Sequence, residues 1–446
     1  RSWVWARLGL SPFAIALESL AVVAAIARRP LSGATIDEIA DGYAKHGWRA
    51  DAAAWQTLAG VPLQHETTLR EVVQQLAEPW LEETAIRFQE LFERGPSIAG
   101  AHREAVDAAE GGCLVFVDGL RYELGCLLAE RLEGRGCRVA IARRWAALPT
   151  VTATGKPAVT PVVAEVSGTK LGEDFAPRLR GGKAIDAASL RAAIESKGYQ
   201  ILGAETGDWP LAATARGFLE AGDIDSLGHE RQGELPAQLW GQIQRLEERI
   251  VRLLDAGWTS VRVVTDHGWL FLPEGLPTAE LPRHLTLRRW ARCAVISGDS
   301  QVEVPRVAWH WNPNECAATA PGSACFNGSL CYAHGGLSIQ ECLTPDLLVT
   351  RSGARTLRAS IKSLTWRGMR CLVVAESSGG EVRADLRLST ASGASVVKAP
   401  KMLDADGATS LVVADDRHES APLMLVLLAP DHSVIAQQAT KVGASS

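Results

Sequence analysis

The sequence predicts an α/β core over about residues 109 to 345, flanked by a helical segment before it and a β-rich segment after it. Three observations predict this. Cys113-Leu-Val-Phe-Val117 and Val261-Arg-Val-Val-Thr265 are apolar runs of the kind that fill strands buried on both faces of a parallel sheet. Between them lie helix-length amphipathic stretches, the longest from Pro236 to Leu254. Outside them the pattern changes twice, near residue 108 and after Thr344-Pro345.

Residues 1–108 are rich in Ala, Leu and Glu, and apolar residues recur at three- and four-residue spacing, as in Leu69, Val72, Val73 and Leu76. That period is helical. Ser11-Pro12 and Thr67 are expected helix starts. Phe13 to Ala27 is strongly apolar, but Glu18 and Ser19 interrupt it, and it is shorter than the ~20 residues a membrane span requires. It reads as a buried helix, and no membrane association is expected. No metal-ligand or nucleophile pattern occurs here, so residues 1–108 are expected to form a helical packing or interaction domain.

In the core, Leu120 to Leu132 is expected to be helical and Arg138 to Ala142 to be a strand, which with the first run makes a βαβ unit. Proline suits the first turn of the 236–254 helix, where its missing N–H costs nothing. Ala187 to Lys197 is a further helix, and Ala294-Val-Ile296 a further strand. The whole reads as doubly wound α/β. From 346 to 446, short apolar or alternating runs (Ala359–Leu364, Cys371–Ala375, Val382–Leu388, Ser410–Ala414, Leu423–Leu428) are separated by Gly, Asp and Ser clusters, which predicts a small antiparallel β-sandwich domain.

With 446 residues the chain exceeds one ordinary core. It is 47% hydrophobic and 22% charged, and its net charge of −5 argues against binding nucleic acid by bulk charge. Two basic stretches, Arg178/Arg180/Lys183 and Arg283/Arg288/Arg289/Arg292, could guide a phosphate backbone or simply form solvated faces. Nine cysteines without a tight CxxC pair read as reduced thiols of a cytoplasmic protein, although Cys316, Cys325, Cys331 and Cys342 lie close enough in sequence to raise a zinc site. The chain starts at Arg1 and its first methionine is Met369, so a further N-terminal region is expected.

Chemistry concentrates in five short motifs. Asp118-Gly119 follows the first buried run, where open α/β sheets place ligand sites. An aspartate there can ligate a metal or cap the next helix. Asp266-His267-Gly follows the second run, and adjacent carboxylate and imidazole suit zinc or manganese. Asp225-Ser-Leu-Gly-His229 carries both ligand types four positions apart, within reach of one ion from one helical turn. Tyr332-Ala-His334-Gly-Gly336 adds a histidine beside glycines that permit tight turns. Leu148-Pro-Thr-Val-Thr152-Ala-Thr-Gly-Lys156 offers three threonines, Thr150, Thr152 and Thr154, any of which a metal could activate as a nucleophile. His284 and His310 lie between motifs and could brace a ligand.

Taken together, Val-Phe-Val-Asp118-Gly-Leu-Arg-Tyr-Glu, Leu-Pro-Thr-Val-Thr152, Asp225-Ser-Leu-Gly-His229, Val-Thr-Asp266-His267-Gly and His334-Gly-Gly-Leu-Ser-Ile-Gln-Glu341 resemble the alkaline phosphatase superfamily, and within it the PglZ family of BREX phage-defence systems. The resemblance covers about residues 109 to 345 and implies an alkaline-phosphatase-like metallohydrolase core. It implies Thr152 as nucleophile, one divalent ion on Asp118, Thr152, Asp266 and His267, and a second on Asp225, His229 and His334. Zinc is the first expectation, with manganese or magnesium as alternatives. A phosphate ester, with DNA as one version, would be the substrate, attacked to give a phospho-threonine, and other BREX proteins would be partners. Arg121 and Lys156, close to motif residues, are expected to contact the phosphoryl group. The competing expectation is an assembly component of the defence complex, whose metal site is structural or regulatory and whose flanking domains dock partners.

Overall fold

The computed structural model describes residues 11–29, 31–61, 66–95, 98, 105–180, 182–203, 209, 216–297, 302–328, 330–351, 358–378, 382–391, 393–404, 406–428 and 434–443. It divides into two compact units, 1–351 and 352–446.

The first unit is built on six strands: β1 (Gly112–Phe116), β2 (Cys137–Trp145), β3 (Tyr199–Leu202), β4 (Arg216–Glu220), β5 (Ser260–Val264) and β6 (Leu343–Arg351), in the order β2-β6-β5-β1-β4-β3. The pairs β3/β4, β4/β1 and β1/β5 are parallel, whereas β6 runs antiparallel to both β5 and β2. Every residue of β1 is buried. Cys113 and Val115 face one hydrophobic cluster, and Leu114 and Phe116 face another, so the sheet is covered on both sides. This is why β1 reads as an unbroken apolar run rather than an alternating one.

The strand after β1 is not its sheet neighbour. The parallel β5 and the antiparallel β6 stand between β1 and β2. The 138–142 run is therefore a strand, as expected, but it lies at the sheet edge, and several of its side chains are exposed. Cys293–Ile296 belongs to a separate four-stranded antiparallel sheet with Thr286–Arg289, Asn312–Thr319 and Arg306–Trp309, not to the central one.

Among the described residues, the helices of seven residues or more are α1 (Pro12–Ala27), α2 (Ile36–Gly42), α3 (Trp48–Ala59), α4 (Glu66–Arg94), α5 (Tyr122–Gly134), α6 (Thr152–Ala158), α7 (Ala187–Ser196), α8 (Ile224–Arg231) and α9 (Pro236–Asp255). Ser11 caps α1, accepting from the Ala14 N–H, and Pro12 opens its first turn. On α9, Leu239, Ile243, Leu246, Ile250 and Leu254 are buried at helical spacing. They share a cluster with Val23 of α1, Trp55 of α3 and Trp80 and Phe88 of α4.

Residues 1–108 therefore do not stand apart as a domain. Their helices pack in one core with the sheet, and polar ties reinforce it. The Gln89 side-chain amide donates to the carbonyls of Ala320, Gly322 and Leu337. Arg70 reaches the carbonyl of Gly233 and pairs with Glu274. The expected boundary at 345/346 also shifts, because it would cut β6 in two. No described helix is long and apolar enough to cross a membrane.

The second unit contains two antiparallel sheets. One comprises Arg358–Arg367, Arg370–Ser378 and Ala408–Val412, and the other Lys401–Met402, Arg383–Leu388, Pro422–Leu428 and Val434–Lys441. Val373 and Leu411 from the first share a buried cluster with Leu386, Leu425 and Leu427 from the second, and the Trp366 indole donates to Thr440.

Candidate active site

The register of the central sheet sets the site. Phe116 of β1 lies level with Glu220 of β4 and with Val264 of β5. The three parallel strands thus end together, and Asp118, Asp225 and Asp266 follow their carboxyl ends, where open α/β sheets concentrate ligands. The strand before Asp225 carries a signal of its own, the buried Gly217-Phe-Leu219 run.

Two glycines bring the ends close. Gly119 has φ +69°, and a Cβ there would lie 3.2 Å from Asp225 Cβ. Only glycine takes this conformation without strain while letting α8 approach. A Cβ on Gly155 would lie 2.8 Å from Asp266, so α6, which begins at Thr152, rests directly on that aspartate.

The ligand-type residues converge. His229 and His334 face each other through their Nε2 atoms at 3.0 Å. Asp225 lies 3.6 Å from the first and 3.3 Å from the second. Asp225, His229 and His334 form one group able to hold a metal ion, and Asp118, Asp225 and His267 form another. Asp225 thus faces both. Asp266 falls outside the second group, although its Oδ2 is 3.7 Å from His267 Nε2 and Asp118 Oδ1 is 3.6 Å from the same nitrogen. The His267 and His334 rings stack at 4.0 Å and join the two groups. His267 Nδ1 meets the Gly268 carbonyl at 3.1 Å and His334 Nδ1 meets that of Thr150 at 3.0 Å, which leaves both Nε2 atoms turned toward the carboxylates. Tyr332, not singled out from sequence, donates from its buried hydroxyl to Asp225 Oδ1 at 2.7 Å. Its ring fits because Gly228 has no side chain there.

The three threonines differ in their surroundings. Thr150 is buried and donates to the Gly336 carbonyl. Thr154 is buried and accepts from the Trp309 indole. Thr152 is partly exposed, and its Oγ1 lies 3.2 Å from His267 Nε2. It also lines a cavity of about 240 Å³ together with Asp225, His229 and His334.

Charge is poorly balanced here. Burial, and then the neighbouring Asp266 carboxylate, push the Asp118 carboxyl well above its ordinary range. Burial also raises Asp266, against the pull of His267. Burial would raise Asp225 as well, but His334, His267 and His229 and the Tyr332 hydroxyl outweigh it and hold it low. His267 is lifted to about 9: burial opposes its charge, and Asp266, Asp225 and Asp118 overcome it. Burial and the adjacent His267 press His334 down to about 3. Asp118 Oδ1 and Asp266 Oδ2 are buried without a hydrogen-bond partner. Oxygens left this way are costly unless a cation meets them. The donor set of carboxylates and imidazoles fits a divalent ion of the zinc or manganese kind.

The two expected phosphate contacts meet other partners. Arg121 is 2% exposed, and its guanidinium is enclosed by Glu123 at 2.8 Å, Asp51 at 3.2 Å, the Trp269 carbonyl at 3.2 Å and the Trp269 ring. It braces the core rather than facing the cavity, a correction to the sequence reading. Lys156, one turn after Thr152, donates to Glu220 at 2.8 Å and sits over the Phe116 ring. Arg292 is likewise sealed inside, paired with Glu341, and leaves the basic surface expected of its stretch. Of the two histidines expected to brace a ligand, His284 is exposed and His310 packs against Trp311. Among the described residues, no cysteine enters a metal-binding group.

No family model and no curated protein sequence matches the chain. Among solved structures it is similar to an inactive form of murine ectonucleotide pyrophosphatase/phosphodiesterase 5 in complex with AMP, with 11% identity, a TM-score of 0.35, and coverage of 56% of this chain and 89% of that one. The human protein of the same name gives 11% identity and 0.34, covering 55% and 87%. Phosphonoacetate hydrolase from Sinorhizobium meliloti in complex with phosphonoacetate gives 9% and 0.32, covering 54% and 90%.

Proposed function

We propose that the chain is a metal-dependent phosphohydrolase with Thr152 as nucleophile. The observation that carries this reading is the convergence of Asp118, Asp225, Asp266, His229, His267 and His334 beside the one threonine of its motif that lines the cavity. Asp118, Asp266 and His267, with Thr152, would hold one divalent ion, and Asp225, His229 and His334 the other. Ions bound there supply positive charge that eases deprotonation of the hydroxyl and neutralises the phosphoryl oxygens.

The chain's own residues do the rest by position. The start of α6, held against Asp266 through Gly155, fixes Thr152 at the cavity wall. Its oxygen attacks phosphorus, the ester bond to the leaving group breaks, and the hydroxyl proton passes to solvent. Water then cleaves the phospho-threonine and frees phosphate or a monoester. Tyr332 keeps Asp225 oriented throughout. Catalysis of this type is mainly placement and charge compensation.

The setting in phage defence, with DNA as a substrate and other BREX proteins as partners, rests on the sequence resemblance alone. The experiment is metal analysis of the purified protein coupled to hydrolysis of p-nitrophenyl esters with and without chelator. Two bound divalent ions and chelator-sensitive turnover are expected. A metal-free protein that turns over neither ester yet binds its partners would favour the assembly role instead.

A further inference from the structure

The two loops that carry His267 and His334 share one partner, Glu341. Its backbone carbonyl accepts from the Gly268 N–H at 3.0 Å, one residue after His267. Its side chain accepts from the Gly336 N–H at 2.7 Å, two residues after His334, and from the Ser338 hydroxyl at 2.7 Å. The Gly336 carbonyl accepts from the Thr150 hydroxyl at 2.9 Å, and the Thr150 carbonyl meets His334 Nδ1 at 3.0 Å. Gly336 is thus held at both its N–H and its carbonyl, and the chain between it and His334 has little freedom to shift.

Glu341 is itself held. Arg292 meets it through Nε and Nη2, at 2.9 and 3.0 Å, and both side chains are fully buried. The same guanidinium donates to the carbonyls of Gly322 and Ala324. A Cβ on Gly336 would lie 2.6 Å from Arg292 Nε, so the His334 loop rests directly on the pair. A buried ion pair is a weak way to stabilise a fold, because desolvation offsets its attraction and apolar residues of similar volume often serve as well. A two-bonded guanidinium–carboxylate pair does fix direction. Here it fixes the oxygen that faces the Gly336 N–H. We infer that Glu341, oriented by Arg292, is a positioning residue for metal binding. Through Gly336 it keeps His334 Nε2 turned toward Asp225, 3.3 Å away, and so sets the ion affinity of the Asp225, His229 and His334 group. The inference rests on the metal-site reading and adds to it two residues that are not themselves ligands.

The test titrates zinc, and separately manganese, into metal-free protein against a chelating dye, with thermal unfolding recorded on the same samples. Wild type takes up two equivalents. Arg292→Met combined with Glu341→Leu removes both charges together and raises the dissociation constant of one equivalent by about 10- to 100-fold. Arg292→Lys keeps the charge but not the paired geometry, and raises it by about tenfold. Glu341→Gln keeps an oxygen for the Gly336 N–H and loses least. Ile250→Ala, on the buried face of α9, is the control for lost packing. It lowers the unfolding temperature and leaves both dissociation constants within about twofold. Wild-type affinity in Arg292→Lys or in the double variant overturns the inference, as does an Ile250→Ala variant that loses affinity in step with its stability. If the double variant does not fold, Arg292→Lys and Glu341→Gln decide between the same outcomes. A wild type that binds neither metal sinks the metal-site reading and this inference with it.

Discussion

His267 and His334 stack face to face, 4.0 Å between ring centroids and 8° from parallel, although they come from different loops. Each ring is fixed by a backbone carbonyl at Nδ1, so the contact locks the end of β5 to the loop that carries His334. Neither group of ligands is independent of the other.

Removing one ring should therefore be felt at both groups. His334→Ala is expected to lose one of the two bound ions and to lower ester hydrolysis by more than about 100-fold, the scale of losing an electrostatic stabiliser. Elemental analysis and initial rates measure this. Full metal content with full turnover would remove His334 from the site.

Tyr332 donates to Asp225, the carboxylate that faces both groups. Tyr332→Phe keeps the ring and deletes one hydrogen bond, worth about 1 kcal/mol of stability. Metal affinity is expected to fall about 10- to 100-fold, as for other partners that orient a ligand. Titration against a chelating dye reads the affinity, and urea denaturation reads the stability. A variant that loses stability but binds metal like the wild type would make Tyr332 a packing residue only.

Glu123 gives a pH prediction away from the site. Burial, opposed by Arg121 and reinforced by Asp51, raises its carboxyl to about 7 from the ordinary 4.5. The groups facing it are Arg121 and Asp51, and Tyr43 in turn donates to Asp51 at 2.7 Å. With a folded value above the unfolded one, the folded protein holds the proton more tightly. Its contribution to stability is complete below about pH 4.5 and is lost as the pH rises through 7. The shift corresponds to about 3 kcal/mol. Glu123→Gln should flatten this slope, so that wild type loses stability relative to the variant between pH 5 and pH 8 in urea titrations. Parallel pH profiles would contradict the assignment.

Much of the candidate site was legible because its carboxylates follow strand ends. Asp118 and Asp266 each come directly after an apolar run, and Asp225 and His229 share one short helix. What was not legible depends on contacts distant in sequence. The enclosure of Arg121 needs Asp51 from α3 and Trp269 from beyond β5. No pattern within the Asp118 motif reveals them, so the arginine read as a phosphate ligand. The order of the sheet was hidden for a related reason. The strand β6 is buried along most of its length, but Thr344, Pro345 and Asp346 interrupt its apolar pattern, and the 138–142 run could not show that two strands separate it from β1. The aromatic wall of the cavity joins Phe175 and Trp290, far apart in the chain and without any motif of their own.

Thr152 carries the proposed chemistry. The most direct measurement is steady-state hydrolysis of bis(p-nitrophenyl) phosphate by metal-loaded Thr152→Ala, with bound metal and thermal unfolding recorded on the same sample. The expected result is a folded protein that retains at least the ion proposed for Asp225, His229 and His334, with a fall in turnover of at least about 100-fold. Full activity in a folded, metal-loaded variant would contradict it.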